Sequence, residues 1–376
     1  MKFPSFSFTN DWKNLRKFEK IDLNEKQIVF YAENLSSFNH FRLLIEELTM
    51  NENIKVAYVT SVSNDEIFKI KNENLKIFFI GNGTARTKFF LTLKAKILIM
   101  DMPDLERFHI KKSKIYPVHY VYVFHSMFSI HTYLRKNALD DYDTIFCVGS
   151  YHKNEIKTLE KFYNLKSKNL IEYGFGRLDF LLKENYDFND NSDNMLVIIA
   201  PSYGKNNLLE NCGVELIQIL LKNNFKIILR PHHKILNESN DLINEILKRF
   251  GKQKNFRLEK GVLDAKDFHN SLSLITDWSG IGIEYAFVRE KRVIFIDVPQ
   301  KILNEDFKEI DIEPFEKLIR TQIGHIISIN ELNKIPNIIK NENKINDIKE
   351  LRNKMIYNVG KSSKVGSAFI KKLYNA

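Results

Sequence analysis

The sequence predicts an α/β protein made of two parallel-sheet domains of similar size. Short apolar runs alternate with longer amphipathic segments along the chain, which is the pattern of parallel strands joined by helical crossovers. The length, 376 residues, exceeds what one hydrophobic core usually supports. A polar segment rich in Asn and Asp, residues 182–194, separates two series of these runs. We therefore interpret residues 182–194 as the linker between two domains.

Ten apolar runs are predicted to be strands, six before the linker and four after it. The predicted domains are residues 1–185 and 186–337, followed by a charged, helix-patterned segment at 338–376 that could pack back on the first domain. The predicted strands are Gln27–Tyr31, Lys55–Val59, Leu75–Ile80, Ile97–Met100, Tyr120–Phe124, Thr144–Val148, Met195–Ala200, Lys226–Leu229, Ser273–Thr276 and Val293–Ile296.

The composition is that of a globular protein with a surplus of positive charge. Hydrophobic residues make up 44% of the chain, charged residues make up 28%, and the formal net charge is +10. Nucleic acid, an anionic membrane surface and phosphorylated substrates would each suit that charge, and a codon bias toward Asn, Lys and Ile is an equal alternative. The charge alone therefore does not select a partner.

The sequence carries no signal for a disulfide scaffold, a zinc site or export. Cys147 and Cys212 are the two cysteines, and they lie far apart without a zinc-type cluster of Cys and His. No apolar run approaches the ~20 residues needed to span a bilayer, and the N-terminus lacks a signal-peptide core. We expect a cytoplasmic protein, with peripheral contact at the cytoplasmic face of the inner membrane as an option.

A basic cluster follows the predicted strand at 226–229. Ligands bind at the carboxyl ends of strands in open parallel sheets, and this strand ends in Arg230-Pro-His-His-Lys234. The guanidinium of Arg230 offers a bidentate fork for phosphate oxygens, and His232, His233 and Lys234 can donate to an anion. A surface turn with incidental charges is the alternative. We favour an anion site, because four donors packed around a strand end would repel one another without an anion.

A second strand end, Thr276-Asp-Trp-Ser-Gly280, is followed at once by a helical pattern. The small residues Ser279 and Gly280 leave backbone amides at the helix start open to an anion, which the helix macrodipole favours. Thr276 and Asp277 belong to the same turn. Glu284 lies about one and a half turns along the helix, where a carboxylate can reach ribose hydroxyls. We predict that this turn and Glu284 bind a phosphate-bearing nucleotide, although each residue alone would be an ordinary cap or helix residue.

Two further strand ends contribute candidate residues. Ser202 and Lys205 follow the predicted strand at 195–200, in a turn suited to diphosphate or base contacts. His125 follows the predicted strand at 120–124, where a structural histidine is the commoner outcome. We nevertheless keep His125 as a candidate site residue, because a cleft between two domains would set it opposite the phosphate-binding strand ends of the second domain.

Two charged residues precede the linker. Arg177 and Asp179 lie in the loop Tyr173-Gly-Phe-Gly-Arg-Leu-Asp179, which we expect to shape the hinge between the domains. An ion pair between Arg177 and Asp179 is as plausible as a role in the site.

Several of these motifs together resemble one protein family. The segments are His125-Ser126, Gly176-Arg-Leu-Asp179, Ala200-Pro-Ser202, Arg230-Pro-His232, Thr276-Asp-Trp-Ser-Gly280 and Arg292-Val-Ile-Phe-Ile-Asp297. They resemble the signature of the CDP-glycerol glycerophosphotransferases, the teichoic-acid and capsule polymerase family. The resemblance runs from about residue 120 to 300, and its motifs are weak singly but fairly specific jointly.

The resemblance implies a GT-B fold, in which two Rossmann-like domains enclose a cleft. It further implies a transferase that moves a polyol phosphate, such as glycerol phosphate, from a CDP-activated donor to a hydroxyl of a cell-surface glycan or lipid-linked acceptor, with release of CMP. The donor would bind the second domain, and the acceptor would enter from the first. His125 would be the general base, while His232, Arg230 and Ser279 would stabilise charge on the donor phosphates. No metal ion and no cofactor are implied.

Two alternatives stay open at this point. A GT-B glycosyltransferase that uses a nucleotide-sugar in capsule or lipopolysaccharide synthesis would present much the same cleft motifs. A basic nucleic-acid-binding protein would instead interleave Lys and Arg with stacking aromatic residues along one face. We disfavour nucleic acid as a partner, because the basic residues cluster at strand ends.

Overall fold

The computed structural model describes residues 5–184, 195–238, 240–261, 263–341 and 346–376. These residues form an α/β architecture with two separate parallel sheets, which confirms the fold class predicted from the sequence. Of the predicted linker, residues 185–194 lie outside the described residues. The domain boundaries at residues 185 and 337 stay predictions.

The first sheet contains seven parallel strands within the described residues, in the order β3-β2-β1-β4-β5-β6-β7. Its central strands are apolar throughout, since helices cover both faces of a parallel sheet. Every residue of β1 and β2 is buried. The strands are β1 (Ile28–Ala32), β2 (Val56–Thr60), β3 (Leu75–Phe79), β4 (Ile97–Met100), β5 (His119–Val123), β6 (Thr144–Cys147) and β7 (Asn169–Glu172).

The second sheet contains six parallel strands within the described part of the chain, in the order β10-β9-β8-β11-β12-β13. Its strands are β8 (Leu196–Ile199), β9 (Lys226–Leu229), β10 (Phe256–Leu258), β11 (Ser273–Thr276), β12 (Val293–Asp297) and β13 (Gly324–Ser328). All ten predicted strands are present. The sequence analysis missed β7, β10 and β13, which are edge strands with alternating or exposed residues and therefore no continuous apolar run.

Helices connect the strands and cover the sheets. In the first half they are α1 (Ser5–Lys20), α2 (Ser37–Glu46), α3 (Thr84–Leu91), α4 (Ile130–Tyr133), α5 (Ser150–Phe162) and α6 (Gly176–Lys183). In the second half they are α7 (Leu208–Lys222), α8 (His233–Glu238), α9 (Asn240–Phe250), α10 (Ala265–Asn270), α11 (Ile281–Arg289), α12 (Phe315–Ile323), α13 (Ile335–Lys340), α14 (Asn346–Met355) and α15 (Ser362–Asn375). Short single-turn helices cover Leu23–Glu25, Glu47–Asn51, Glu66–Lys69, Glu305–Glu309 and Ile329–Lys334.

One apolar cluster runs through both halves of the molecule. It joins Tyr122 of the first sheet to Leu178 of α6, and it continues to Tyr285 of α11 and Leu274 of the second sheet. Each of these four side chains is almost completely buried. Burial of a large apolar side chain stabilises a fold by about 1.5–3 kcal/mol, so this shared cluster opposes separation of the two sheets.

The C-terminal helices contact both halves. Helix α14 packs against α11, and α15 packs against α2. The buried carboxylate of Asp179 accepts hydrogen bonds from the amides of Gly360 at 2.7 Å and Ser362 at 2.9 Å, at the start of α15. Asp179 therefore anchors the C-terminal segment to α6. It does not form the ion pair with Arg177 that the sequence analysis offered as an alternative.

Two buried glutamates hold the segment around α4 between the halves. Glu155 Oε2 on α5 accepts the Ile130 amide at 2.6 Å and lies 3.2 Å from His131 Nδ1. Glu316 Oε2 on α12 accepts the Ser129 amide at 2.9 Å. Burial alone would lower the pKa of His131, yet the adjoining carboxylates of Glu155 and Glu316 raise it above its usual value. This carboxylate clamp fixes the loop after β5 against the second half.

Replacement of Glu316 tests the clamp. In Glu316→Ala the Ser129 amide and the Thr132 hydroxyl lose their acceptor in a buried setting, so we expect the free energy of unfolding to fall by about 1–3 kcal/mol per group left unsatisfied. Glu313→Ala is the matched control, because Glu313 forms only an exposed pair with Lys317, worth less than ~1 kcal/mol. Urea denaturation measures both variants. Equal stabilities would show that the clamp does not hold the halves together.

Candidate active site

The loops after β5 and β11 meet in the cleft between the two sheets. A Cβ atom placed on Gly280, at the start of α11, would lie only 3.1 Å from Ser126 Oγ in the loop after β5. Because Ser126 follows His125 directly, the loop that carries this histidine lies against the first turn of α11. The structure thus brings together the two strand ends on which the sequence analysis placed a base and a phosphate site.

His125 is held as a neutral imidazole. Its Nδ1 lies 3.2 Å from the carbonyl oxygen of Asp101 and can donate to it, while its Nε2 lies 3.4 Å from the Tyr133 hydroxyl. Burial lowers the pKa of His125 below its usual value, despite the opposing effect of the Asp101 carbonyl. With the proton on Nδ1, Nε2 is the basic nitrogen, and it accepts a hydrogen bond from the Tyr133 hydroxyl.

The first turn of α11 offers unpaired amide groups. Among the described residues, no hydrogen bond is made by the amides of Ser279, Gly280 and Ile281, and the first backbone bonds of this turn begin at Gly282. Gly280 caps the helix without a side-chain hydrogen bond. Three consecutive free amides at the positive end of a helix dipole form a site for an anion.

Asp277 and Thr276 organise the neighbouring loop. Asp277 is fully buried, and its carboxylate accepts hydrogen bonds from the amides of Ser202 and Trp278, each at 2.7 Å, and of Leu208 at 2.9 Å. Thr276 Oγ1 donates to the carbonyl of Ala200 at 2.6 Å. The polar atoms of both side chains are engaged inside the protein, and the direct ligand contact that the sequence predicts for them stays a prediction. Their task is to join the loops after β8 and β11.

Arg177 lies close to both Arg230 and Glu284. Arg177 Nε donates to Glu284 Oε2 at 2.7 Å, which links α6 of the first half to α11 of the second. Arg230 Nε is buried and makes no hydrogen bond within the described part of the chain. Burial, reinforced by the positive charge of Arg177, lowers the pKa of Arg230, although Glu284 and Glu259 oppose this effect. Arg230 is therefore a cation with donor capacity to spare, and Glu284 is already held by Arg177.

The remaining predicted residues lie around the loop after β8. The Tyr203 ring lies with its centroid 4.7 Å from that of His232. Ser202 is buried beside Tyr203, whereas Lys205 is exposed further along the loop. No contact joins Lys205 to the other candidates among the described residues. The structure therefore brings His232 and Ser202 to the cleft and leaves Lys205 at its rim.

Several residues of the cleft were missed by the sequence analysis. His40 on α2 is buried with its ring centroid 6.4 Å from that of His125, and Lys301 lies over the Tyr203 ring at 3.5 Å. Neither follows an apolar run directly, so no strand-end pattern marks them. Tyr133 stands in a segment that the sequence analysis did not assign to any element. His40, Lys301 and Tyr133 are placed in the site by long-range contacts, which a single sequence does not reveal.

The described residues hold no metal centre and no membrane span. No group of three or more His, Cys, Asp or Glu side chains within them is placed to hold a metal ion. No helix among them is long and apolar enough to cross a bilayer.

Comparison with known proteins identifies a family. The family model described as CDP-glycerol:poly(glycerophosphate) glycerophosphotransferase matches residues 14–302 of the chain. That range includes His125, the Arg230 and Thr276 segments and Lys301. No curated protein sequence matches the chain significantly.

Solved structures share the fold. The wall teichoic acid polymerase TagF, with CDPG, superposes with a TM-score of 0.57 at 13% identity, over 100% of this chain and 99% of that chain. The MnaA–UDP structure from S. aureus gives 0.60 at 14% identity, over 93% of this chain and 97% of that one. The UDP-GlcNAc 2-epimerase of Methanocaldococcus jannaschii gives 0.58 at 13% identity, over 93% and 99%. These likenesses confirm the predicted GT-B fold of two Rossmann-like domains.

The role of Asp277 can be separated from direct ligand binding. Asp277→Asn replaces one acceptor oxygen by an amino group that faces backbone N–H donors, so we expect the free energy of unfolding to fall by about 1–3 kcal/mol. Asp297→Asn, at the exposed end of the neighbouring strand β12, is the control. Denaturation by urea measures both. A normally stable Asp277→Asn protein that fails only to bind ligand would support the sequence-based role.

Proposed function

The chain belongs to the CDP-glycerol:poly(glycerophosphate) glycerophosphotransferase family, and we propose that its cleft transfers glycerol phosphate from CDP-glycerol to an acceptor hydroxyl as follows. Family membership confirms the predicted glycerophosphotransferase-like enzyme. The assignment of individual residues to steps of the reaction is our proposal. One observation carries it: Gly280 and Ser126 lie close enough to place the His125 loop against the free amides of α11.

His125 acts as the general base. The acceptor hydroxyl attacks the phosphorus that bears the glycerol, and its proton passes to His125 Nε2. A new bond forms between the acceptor oxygen and this phosphorus, while the bond from the phosphorus to the oxygen that bridges the two phosphates breaks. CMP leaves with that bridging oxygen. The hydrogen bond from Nδ1 to the Asp101 carbonyl keeps the imidazole in the required tautomer and orientation.

The second half of the molecule holds the donor. The amides at the start of α11 and the guanidinium of Arg230 face the diphosphate, and His232 donates to the phosphate of the departing CMP. Charge moves onto the bridging oxygen as the bond breaks, so fixed dipoles and cations at this end favour the transition state. Glu284 exchanges part of its contact with Arg177 for a ribose hydroxyl when the nucleotide binds. Ser202 contributes its hydroxyl from the loop after β8.

The acceptor enters from the first half. We propose a glycan or lipid-linked acceptor that carries a free hydroxyl, as in teichoic acid or capsule synthesis. The surplus of ten positive charges suits a polyanionic product and a peripheral approach to the cytoplasmic face of the inner membrane. Nucleic acid is not part of the proposal.

A nucleotide panel tests the donor. We expect CMP, CDP and CDP-glycerol to raise the melting temperature, with UDP, GDP and UDP-N-acetylglucosamine less effective, because only a ligand that binds the folded protein stabilises it, by about 2.7 kcal/mol at a hundredfold excess over Kd. Phosphorus NMR then follows a phosphodiester product and free CMP. A preference for uridine or guanosine nucleotides would favour the glycosyltransferase alternative and contradict the proposal.

Substitution of His125 tests the base. We expect His125→Ala to lower turnover by at least ~100-fold while CDP-glycerol still binds, the effect of losing a general base. Because the neutral form is active and burial lowers its pKa, kcat/KM of the native enzyme should rise with pH through a value below His125's usual ~6.5. His325→Ala, at a partly exposed position on β13, controls for loss of a histidine. Native turnover in His125→Ala would exclude the role.

A further inference from the structure

Lys301 lies over two aromatic rings of the cleft, each of which contacts a histidine. Its ammonium lies 3.5 Å from the centroid of the Tyr203 ring and 5.8 Å from that of the Tyr133 ring. Tyr133 contacts His125 Nε2 through its hydroxyl at 3.4 Å, and the Tyr203 ring packs against His232 at 4.7 Å. Two aromatic rings, one from each half of the molecule, thus hold the lysine midway between the proposed base and the proposed donor site.

The ammonium of Lys301 has no anionic partner in the described residues. It makes neither an ion pair nor a hydrogen bond there, and the nearby carboxylate of Asp277 already accepts three backbone amides. A second cation, Lys234, lies over the same Tyr203 ring at 4.3 Å. The two positive charges at this ring repel each other. An anion bound between them would attract both and outweigh this repulsion.

We propose that Lys301 binds a non-bridging oxygen of the phosphate that is transferred, and so belongs to the active site as a donor-binding residue. This inference rests on the proposed function. The amides of α11 and Arg230 hold the diphosphate from the second half, whereas Lys301 reaches it from the side nearest His125. A cation on that side orients the phosphorus toward the acceptor hydroxyl.

Lys301 keeps its protons throughout the transfer. As the bond from the acceptor oxygen to phosphorus forms and the bond to CMP breaks, the acceptor proton goes to His125. The non-bridging oxygens keep their negative charge during this exchange, and the hydrogen bond from Lys301 neutralises part of it. The aromatic rings on either side restrict the ammonium without consuming its donors.

The surroundings of Lys301 make its charge sensitive to pH. Burial lowers the pKa of Lys301 to about 7, with Asp277 opposing this shift and Lys234 adding to it. The protonated form binds the phosphate, so kcat/KM should fall as pH rises through this value. Among the described residues, the titratable and charged groups that face Lys301 are Tyr133, Tyr203, Lys234 and Asp277, and His232 packs on the Tyr203 ring.

Three substitutions test the inference. For Lys301→Met we expect affinity for CDP-glycerol to fall about 10- to 100-fold, the loss of one charge-assisted hydrogen bond, while affinity for CMP changes less than about threefold. Lys301→Arg should retain most of the affinity and abolish the alkaline fall in kcat/KM near pH 7, because a guanidinium stays protonated. Lys340→Met is the matched control, since Lys340 also lies over an aromatic ring, Phe225, but is itself exposed at the end of α13.

Calorimetry with CDP-glycerol and CMP, the pH profile of kcat/KM and the melting temperature of each variant decide the question. Native affinity for CDP-glycerol in Lys301→Met, or an equal loss for CMP and CDP-glycerol, would overturn the role. An unshifted alkaline limb in Lys301→Arg would also overturn it. Binding of UDP-N-acetylglucosamine in place of CDP-glycerol by the native protein would overturn the proposed function, and with it a role for Lys301 at a transferred phosphate. Failure to bind either conjugate would overturn both.

Discussion

The buried carboxylate of Glu316 is the constraint on which the geometry of the cleft depends. It belongs to the second half of the molecule but accepts its hydrogen bonds from Ser129 and Thr132, in the segment that follows His125. Glu155 holds the same segment from the first half. A carboxylate removed from water is costly unless its oxygens are paired, so both glutamates favour one position of this segment. Hydrogen bonds to these buried carboxylates, together with apolar packing, therefore fix the loop that carries His125 relative to α11.

A second carboxylate plays the corresponding part on the donor side. Asp277 draws the loops after β8 and β11 together through three backbone amides, and it leaves the amides at the start of α11 without partners. Among the described residues, Arg230 Nε and the Lys301 ammonium make no hydrogen bond, so both remain available to the cleft. In the proposed function these cations hold the anionic donor against the second half. The fold alone does not identify the reaction, because a UDP-GlcNAc 2-epimerase shares it.

The sequence predicted the sheets better than the site. Buried central strands carry continuous apolar runs and could be recognised, whereas the edge strands β7, β10 and β13 are exposed on one side and lack that signal. The positions of His125, Arg230, His232 and Ser279 after strands predicted that they lie near one cleft, because parallel strands end at the same edge of a sheet. The sequence could not distinguish a carboxylate that binds backbone amides, as Asp277 does, from one that binds a ligand. Nor could it find Arg177 opposite Glu284, since that pair spans 107 positions of sequence.

In the proposed function, the cleft places the donor phosphates at the start of α11 and in front of His125. A crystal structure of the protein with CDP-glycerol tests this placement. We expect diphosphate oxygens within about 3 Å of the Gly280 and Ile281 amides, and the glycerol-bearing phosphorus on the side of His125 Nε2. A donor whose diphosphate lies away from α11, or whose glycerol phosphate points out of the cleft with CMP toward His125, would contradict it.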